Sequence, residues 1–203
     1  MRAGPTAVLF DVGNVIVRWN PRTLYSKVFP DPAELDRFLG EICTPAWHVE
    51  HDRGAMMADT IPALAARFPQ YADAIHAWLD RHPEMFSGAI PETEEVIEDL
   101  YARGVPLYAL TNMPRDYWAF TQSLSPVFAR FRDIVVSSDE GLIKPDPRIF
   151  ELACQRGGLR PDEFLFIDDS RPNTEAARAL GFHIHLFEDP AALRPAMEAN
   201  GLL

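Results

Sequence analysis

Short apolar runs alternate with helical patterns over most of the chain. The runs at residues 7–10, 105–110, 134–136, 164–167 and 183–187 predict five buried strands. Apolar residues at helical spacing predict helices at 147–156, 173–180 and 191–199, and a further helix that begins at Pro91 and ends at Gly104. Strands with few polar positions that are joined by helices are typical of a parallel sheet covered on both faces, so we predict an α/β fold.

Residues 18–87 do not follow this alternation. Helical spacing recurs at 31–42, 61–68 and 72–86, and we find no convincing strand pattern in this part of the chain. We therefore predict two units. Residues 1–17 and 88–203 form a core that contains the sheet, and residues 18–87 form an all-helical cap inserted after the first strand.

Composition narrows the classes of function. The 203 residues are 47% hydrophobic, which is enough for a packed core, and their formal net charge is −11. An acidic chain repels nucleic acids and anionic lipids, and no apolar run approaches the roughly 20 residues of a bilayer span. Cys43 and Cys154 share no metal or redox motif, so we interpret them as buried apolar fillers. We expect a cytoplasmic protein with a small-molecule ligand and no nucleic-acid or membrane partner. The sequence leaves open whether the protein forms a homodimer.

Polar side chains follow the predicted strands. Because the carboxyl ends of parallel strands meet at one edge of a sheet, these side chains are expected to converge. They are Asp11, Thr111, Asn112, Lys144, Asp168 and Asp169. Carboxylates that share a pocket repel one another unless a cation neutralises them, and oxygen ligands suit Mg²⁺. A metal beside a lysine and a hydroxyl donor makes a phosphoryl site, for which a carboxylate is a competent nucleophile.

Four segments in this order resemble the four motifs of the haloacid dehalogenase superfamily: residues 10–14, 110–112, 144–145 and 167–170. The resemblance extends over the whole chain and implies a Rossmann-like parallel sheet with an inserted helical cap, Mg²⁺, and an aspartyl-enzyme intermediate. It implies that Asp11 is the nucleophile and a metal ligand, and that Lys144 stabilises the charge of nucleophile and phosphate. It further implies phosphoryl binding by Thr111, with Asn14 and Asn112 beside it.

The same resemblance implies the other metal ligands. Asp169 would contact Mg²⁺ directly, Asp168 through water, and the carbonyl group of Gly13 would supply a further ligand. Read alone, Asp168 and Asp169 could merely cap the helix that follows them, since aspartate is common at helix N-termini.

Gly13 departs from the family pattern. Most phosphatases of the family carry a second aspartate there as general acid/base, and losing such a group typically costs about 10²–10⁴ in rate. Three interpretations stay open. In the first, the substrate has a leaving group that hardly needs protonation. In the second, a cap residue among His48, His51 and Asp52 supplies the proton. In the third, the protein has lost catalysis and keeps only a phosphate-binding pocket. Residues 10–15 are similar to the FDxGNV motif of a branch that includes sugar-1-phosphate phosphatases, which favours an active enzyme.

The cap offers candidate substrate contacts. Trp47 is a candidate stacking platform for a sugar, and His48 is a candidate substrate ligand. His48 and His51 are three residues apart, so a metal pair is conceivable, although a polar surface segment is the simpler interpretation. The segment 18–20, just after the first motif, is a further place to look for substrate contacts.

The sequence thus favours a Mg²⁺-dependent phosphatase for a small phosphorylated metabolite such as a sugar 1-phosphate, acting through a phospho-aspartate. A 2-haloacid dehalogenase is the first alternative, but such enzymes usually lack the acid pair seen at Asp168 and Asp169. A phosphomutase is disfavoured because Gly13 removes the group that moves protons. A catalytically weakened phosphate-binding protein is the non-enzymatic alternative.

Overall fold

A five-stranded parallel sheet forms the centre of the computed structural model, which describes residues 4–203. Its strands are β1 (Ala7–Phe10), β4 (Leu107–Thr111), β5 (Asp133–Val136), β6 (Phe164–Asp168) and β7 (His183–Leu186). Their order is β5-β4-β1-β6-β7, and every neighbouring pair is parallel. The predicted α/β fold with a Rossmann-like sheet is confirmed. The order reverses at β1, and the crevice at such a reversal is where open parallel sheets bind ligands.

Helices cover both faces of this sheet. They are α6 (Pro91–Ala102), α7 (Arg115–Ser123), α8 (Ser137–Glu140), α9 (Pro147–Gly157), α10 (Arg171–Ala179) and α11 (Leu193–Ala199). Side chains of β1 alternate between the two faces. Val8 and Phe10 belong to the apolar cluster that includes residues of α6 and α11, whereas Leu9 belongs to the cluster that includes residues of α9 and α10. β1 is therefore buried along its whole length, which fixes the position of the residue that follows it.

Five further helices lie between the first strand and the rest of the core. They are α1 (Pro21–Val28), α2 (Pro32–Arg37), α3 (Pro45–Asp52), α4 (Met57–Arg67) and α5 (Ala72–Asp80), and we call them the cap helices. After α2 the chain continues as one wider turn, Phe38–Ile42. The helix predicted for 72–86 is shorter in the structure because Pro83 cannot continue an α-helix, and a short 3₁₀ segment, His82–Met85, follows instead.

The prediction that residues 18–87 contain no strand was wrong. Strands β2 (Val17–Trp19) and β3 (Phe86–Ala89) form an antiparallel pair at the two ends of this segment. Each strand is short, and its partner lies almost the whole cap away in sequence, so no local pattern announces the pairing. The pair spans both predicted boundaries between core and cap, and the division into two units stays a prediction.

The cap helices are docked against the core. Tyr117 of α7 donates a hydrogen bond to the carbonyl oxygen of Trp78 in α5 at 2.7 Å. At the end of α3, Gly54 has a φ of 104°, and a β-carbon at this position would lie 2.8 Å from the carbonyl oxygen of Ser138. Only glycine fits there, since other residues rarely adopt that φ and would collide with backbone.

Two smaller expectations can be compared with the structure. Cys43 is buried as predicted, but Cys154 is only half-buried, and both are free thiols.

No helix within residues 4–203 is both long and apolar enough to cross a bilayer.

Candidate active site

Three carboxylates meet at the carboxyl edge of the sheet. Asp11 follows β1, Asp168 is the last residue of β6, and Asp169 comes next. Because β1 and β6 are neighbours in register, each of these residues can offer a carboxylate oxygen within 4.8 Å of the other two. Asp11 and Asp168 are buried, whereas Asp169 is exposed.

Lys144 lies between two of these carboxylates. Its Nζ is 2.8 Å from Asp11 Oδ1 and 2.7 Å from Asp168 Oδ2, and it also donates to the carbonyl oxygen of Leu110 at 3.0 Å. The lysine is buried, so the three contacts account for all three of its ammonium hydrogens. Lys144 is thereby held in one position beside the candidate nucleophile.

Asn112 holds the backbone of this lysine. Its Oδ1 accepts the backbone N–H of Lys144 at 2.8 Å, and its Nδ2 donates to the carbonyl oxygen of Lys144 at 3.0 Å. Thr111, predicted to bind the phosphoryl group, is the buried last residue of β4. Its hydroxyl lies 3.5 Å from the carbonyl oxygen of Asn112, at the limit of a hydrogen bond.

Asp168 is oriented by a residue that the sequence analysis missed. Asn173, in the first turn of α10, donates its Nδ2 to both carboxylate oxygens of Asp168 at 3.1 Å, and the N–H of Ser170 donates to Oδ1 at 2.8 Å. An amide one helical turn after an Asp pair is a signal that could have been used, because side chains at the start of a helix lean back toward the preceding turn.

The loop after β1 surrounds Asp11. The N–H of Val12 donates to Asp11 Oδ1 at 2.7 Å. Asn14 has a φ of 55°, and its side chain accepts the N–H of Trp19 at 3.0 Å. Burial raises the pKa of Asp169, and the Asn14 side chain is among the groups that oppose the rise. A β-carbon placed on Gly13 would meet no heavy atom within 4 Å.

Electrostatics of the site favour a cation. Burial raises the pKa of Asp11, Lys144 opposes the rise, and the charges of Asp168 and Asp169 add to it, so that the pKa lies at about 7. Burial also works against the charge of Lys144, but Asp11 and Asp168 outweigh burial and raise its pKa. Three carboxylates therefore face one ammonium group, and oxygen donors of this kind fit a divalent cation such as Mg²⁺.

The cap residues named above lie on α3, with different surroundings. Trp47 packs edge-on against His51, at 4.5 Å between ring centroids, and against Trp78 at 5.4 Å. His51 Nε2 lies 2.6 Å from the hydroxyl oxygen of Thr60, whereas His48 stacks on Trp19, with centroids 5.0 Å apart. The two histidines thus have different partners, and their ring centroids lie 6.0 Å apart.

Asp52 is buried at the end of α3, close to the core. Its carbonyl oxygen accepts the hydroxyl of Ser137 at 2.6 Å, and the Ser137 oxygen accepts the N–H of Met113 at 3.0 Å. Burial raises the pKa of Asp52 to about 7, and the nearby charge of Lys144 opposes the rise. His48 Nε2 is 3.8 Å from Asp52 Oδ1, and burial lowers the pKa of His48 to about 3, so this imidazole is neutral.

An open cleft of about 740 Å³ adjoins the carboxylates. Its lining includes Asn14 and Asp169 from the core and Trp19 and Asn20 from the segment where the chain enters the cap. The segment 18–20 named in the sequence analysis therefore borders the same cleft as Asp169.

Known proteins resemble this chain over most of its length. A family model described as haloacid dehalogenase-like hydrolase matches residues 5–181. Acyl-CoA dehydrogenase family member 10 of Mus musculus is 34% identical over 211 residues, which cover 95% of this chain but 19% of that protein. A sesquiterpene phosphatase of Aspergillus oryzae is 25% identical over 210 residues, covering 97% of this chain and 96% of that protein.

The fold has counterparts among solved structures. A HAD (haloacid dehalogenase) family enzyme from Bacteroides thetaiotaomicron, solved in complex with magnesium and inorganic phosphate, has a TM-score of 0.68 and 20% sequence identity. The match covers 94% of this chain and 99% of that one. At this identity the likeness establishes the fold, while the family model, which covers most of the chain, establishes the family. The chain belongs to the haloacid dehalogenase-like hydrolases.

Proposed function

We propose that this hydrolase is a Mg²⁺-dependent phosphatase that acts on a small phosphorylated metabolite through a phospho-aspartate. One observation carries the proposal: Lys144 Nζ pairs with Asp11 and Asp168 at 2.8 and 2.7 Å, beside a third carboxylate. Two similar proteins support it: one is a sesquiterpene phosphatase, and the other is a HAD family enzyme of similar fold that was solved with magnesium and phosphate.

Asp11 is the nucleophile in this mechanism. Its Oδ1 accepts hydrogen bonds from the N–H of Val12 and from Lys144. None of the described residues donates to its second oxygen, Oδ2. An oxygen of Asp11 attacks phosphorus, the phosphorus–oxygen bond to the leaving group breaks, and an aspartyl phosphate forms. Water then attacks that phosphorus, which releases inorganic phosphate and returns the carboxylate. Lys144 and the hydroxyl of Thr111 stabilise charge on the phosphoryl oxygens.

The candidate metal site consists of Asp11, Asp168 and Asp169, with the carbonyl group of Gly13. When bound, Mg²⁺ supplies positive charge that keeps the carboxylates ionised and offsets the charge of the phosphoryl group. Asn173 and Asn14 orient Asp168 and Asp169, as outer partners of metal ligands commonly do.

The leaving group is the open part of the reaction. Gly13 provides no acid, so substrates whose leaving groups need little protonation are favoured, and sugar 1-phosphates are one such class. The FDxGNV similarity of residues 10–15 supports that class. Asp52, with a pKa of about 7, is the best-placed cap residue to supply a proton, because its carbonyl oxygen is hydrogen-bonded to Ser137 at the start of α8 and the charge of Lys144 lies near its carboxyl group.

Phosphate release tests the proposal. We would assay p-nitrophenyl phosphate, glucose 1-phosphate and glucose 6-phosphate with Mg²⁺ and with EDTA, and 2-haloacids alongside. Turnover that requires Mg²⁺ and favours the first two substrates is expected. Asp11→Asn should abolish turnover, whereas Asp99→Asn, an exposed carboxylate of α6 paired with Arg194, should retain it. Halide release without metal would indicate a dehalogenase, and silence on every substrate would indicate a phosphate-binding protein.

Location and assembly stay proposals as well. The net charge of −11 favours a cytoplasmic protein with no nucleic-acid or membrane partner. A homodimer is a further prediction, which sedimentation at several protein concentrations would test.

A further inference from the structure

A second cavity lies among the cap helices, and the mechanism above does not use it. Its volume is about 310 Å³, and it is more enclosed than the open cleft. Apolar and aromatic groups dominate its walls, which include Trp19, Leu39, Cys43, His48, Val49 and Trp78. We call this space the cap cavity.

The polar ring atoms of the wall residues do not face the cavity. Trp19 Nε1, Trp78 Nε1 and His48 Nδ1 are buried, with almost no accessible surface, and none forms a hydrogen bond within the described residues. The surface that these residues present to the cavity is therefore the apolar part of their rings. His48 is neutral and Arg22 at the rim is paired with Asp36, so the cavity offers no free charge.

The cap cavity adjoins the catalytic cleft. Trp19, Asn20 and Pro21 line both spaces. The cleft is also lined by Asn14, which accepts the N–H of Trp19, and by Asp169 of the carboxylate cluster. A substrate that reaches the carboxylates through this cleft would therefore lie beside Trp19 and the cap cavity.

The lining selects the chemistry of the occupant. A sugar carries a hydroxyl group on nearly every carbon, and each group that enters an apolar cavity without a partner loses its hydrogen bonds to water. The buried ring nitrogens of Trp19, Trp78 and His48 are not accessible to such groups. An aromatic or branched hydrocarbon fits this lining, and at about 30 Å³ for each water-sized group the cavity holds about ten non-hydrogen atoms.

We infer that the cap cavity binds the apolar organic part of the substrate, so that the enzyme acts on aryl or similarly apolar phosphate monoesters rather than on the sugar 1-phosphates that the FDxGNV similarity supports. This inference rests on the proposed phosphatase function. It also agrees with Gly13, because a phenolate leaves without prior protonation more readily than an alkoxide does.

A pair of substrates tests the inference. Phenyl phosphate and 1-naphthyl phosphate have leaving groups of similar acidity and differ by one fused apolar ring. We expect kcat/KM for 1-naphthyl phosphate to be at least about tenfold higher, since even single methylene groups discriminate by about tenfold or more in apolar pockets. A preference near or below one overturns the inference.

Two matched variants locate the effect. Val49→Thr places a hydroxyl in the cavity wall and should lower the naphthyl preference at least threefold (about the cost of one poorly matched polar group). Val28→Thr makes the same change at a half-buried position of α1 that does not line the cavity, and it should leave the preference unchanged. Equal ratios in both variants contradict the inference.

Failure of the phosphatase proposal is recognisable separately. If neither aryl phosphate is hydrolysed, calorimetric titration measures whether 1-naphthyl phosphate binds more tightly than phenyl phosphate, and whether Val49→Thr weakens that difference. Tighter binding of the naphthyl compound supports the cap cavity as an apolar subsite even without turnover. Equal or absent binding of both compounds overturns it.

Discussion

The side-chain amide of Asn112 and the backbone of Lys144 exchange two hydrogen bonds, 2.8 and 3.0 Å long. Asn112 stands at the end of β4 and Lys144 precedes α9, so these bonds tie together two loops that are separate in sequence. They fix the start of the lysine side chain, while Asp11, Asp168 and the Leu110 carbonyl fix its end.

Asn112→Asp should therefore lower kcat while it changes KM little. The new carboxylate still accepts the N–H of Lys144, but it cannot donate to the carbonyl oxygen of Lys144. It also places a negative charge beside that carbonyl oxygen. We expect a decrease of about 10–100-fold in kcat, the usual effect of losing an outer partner. Asn200→Asp, at the end of α11, is the matched control. A higher KM with an unchanged kcat would indicate that Asn112 contacts the substrate instead.

Lys144→Met should abolish turnover and destabilise the fold. Removing one partner of a buried ion pair leaves the others uncompensated, which typically costs about 3–5 kcal/mol. Urea unfolding in EDTA measures the free energy of unfolding, and phosphate release measures activity. Lys27→Met, in an exposed pair with Glu84, provides the comparison and should change the free energy of unfolding by less than about 1 kcal/mol.

Asp52 should make stability depend on pH. Its pKa is about 7 in the folded protein against 3.8 in the unfolded chain, so folding binds a proton between these values. The stability cost of this carboxyl grows as pH rises through that window and is complete above about pH 7. The neighbouring His48 is neutral throughout the window, and Lys144 stays charged.

Asp52→Asn removes this titration and is close to isosteric. We expect the variant to gain stability over the wild type as pH rises, by about 2 kcal/mol between about pH 5.5 and about pH 8.5. Urea unfolding of both proteins at the two pH values measures the gain. A constant difference between them would show that Asp52 is ionised over the whole range.

Gly13→Asp should speed the hydrolysis of alkyl phosphates. The position has open space around a β-carbon, so the side chain can begin there without a clash. If protonation of the leaving group limits the rate, glucose 6-phosphate turnover should rise by about tenfold or more. Gly13→Asn controls for the added side chain. No increase would mean that another residue, of which Asp52 is the best placed, already supplies the proton.

Asp169→Asn should weaken activation by Mg²⁺. Asp169 is the exposed member of the three carboxylates, and its replacement removes a charge from the candidate metal site. We expect half-maximal activity to need about 10–100-fold more Mg²⁺. A titration of phosphate release against Mg²⁺ measures this shift, with Asp99→Asn as the exposed control. An unchanged titration would place the metal elsewhere.

The sequence predicts the sheet and its catalytic edge well, because both depend on local patterns and on strand order. Asp11 and Asp168 each follow an apolar run, and parallel strands bring such ends together whatever the details of packing. The β2–β3 pair could not be predicted, since Val17 and Ala89 pair across the whole cap and neither strand is long enough to show a period of two.

The cap is harder to predict than the core for a physical reason. Which side chains face a cavity depends on how the helices rotate and pack, and periodicity defines only an apolar face. Trp47 was the expected platform for a substrate, yet its ring packs against His51 and Trp78, and Trp19 lines both spaces instead. Asn173 was missed because its role depends on Asp168 being turned toward the helix that follows.

The close approach of Gly54 to the Ser138 carbonyl has an evolutionary consequence. Turns at the ends of surface helices usually tolerate substitution, so cap sequences can diversify quickly and acquire new substrates. This turn is an exception, because any side chain there would push α3, which carries His48 and Asp52, away from the core. Cap residues that contact a substrate can therefore change, provided that this one glycine is kept to preserve the distance of α3 from the core.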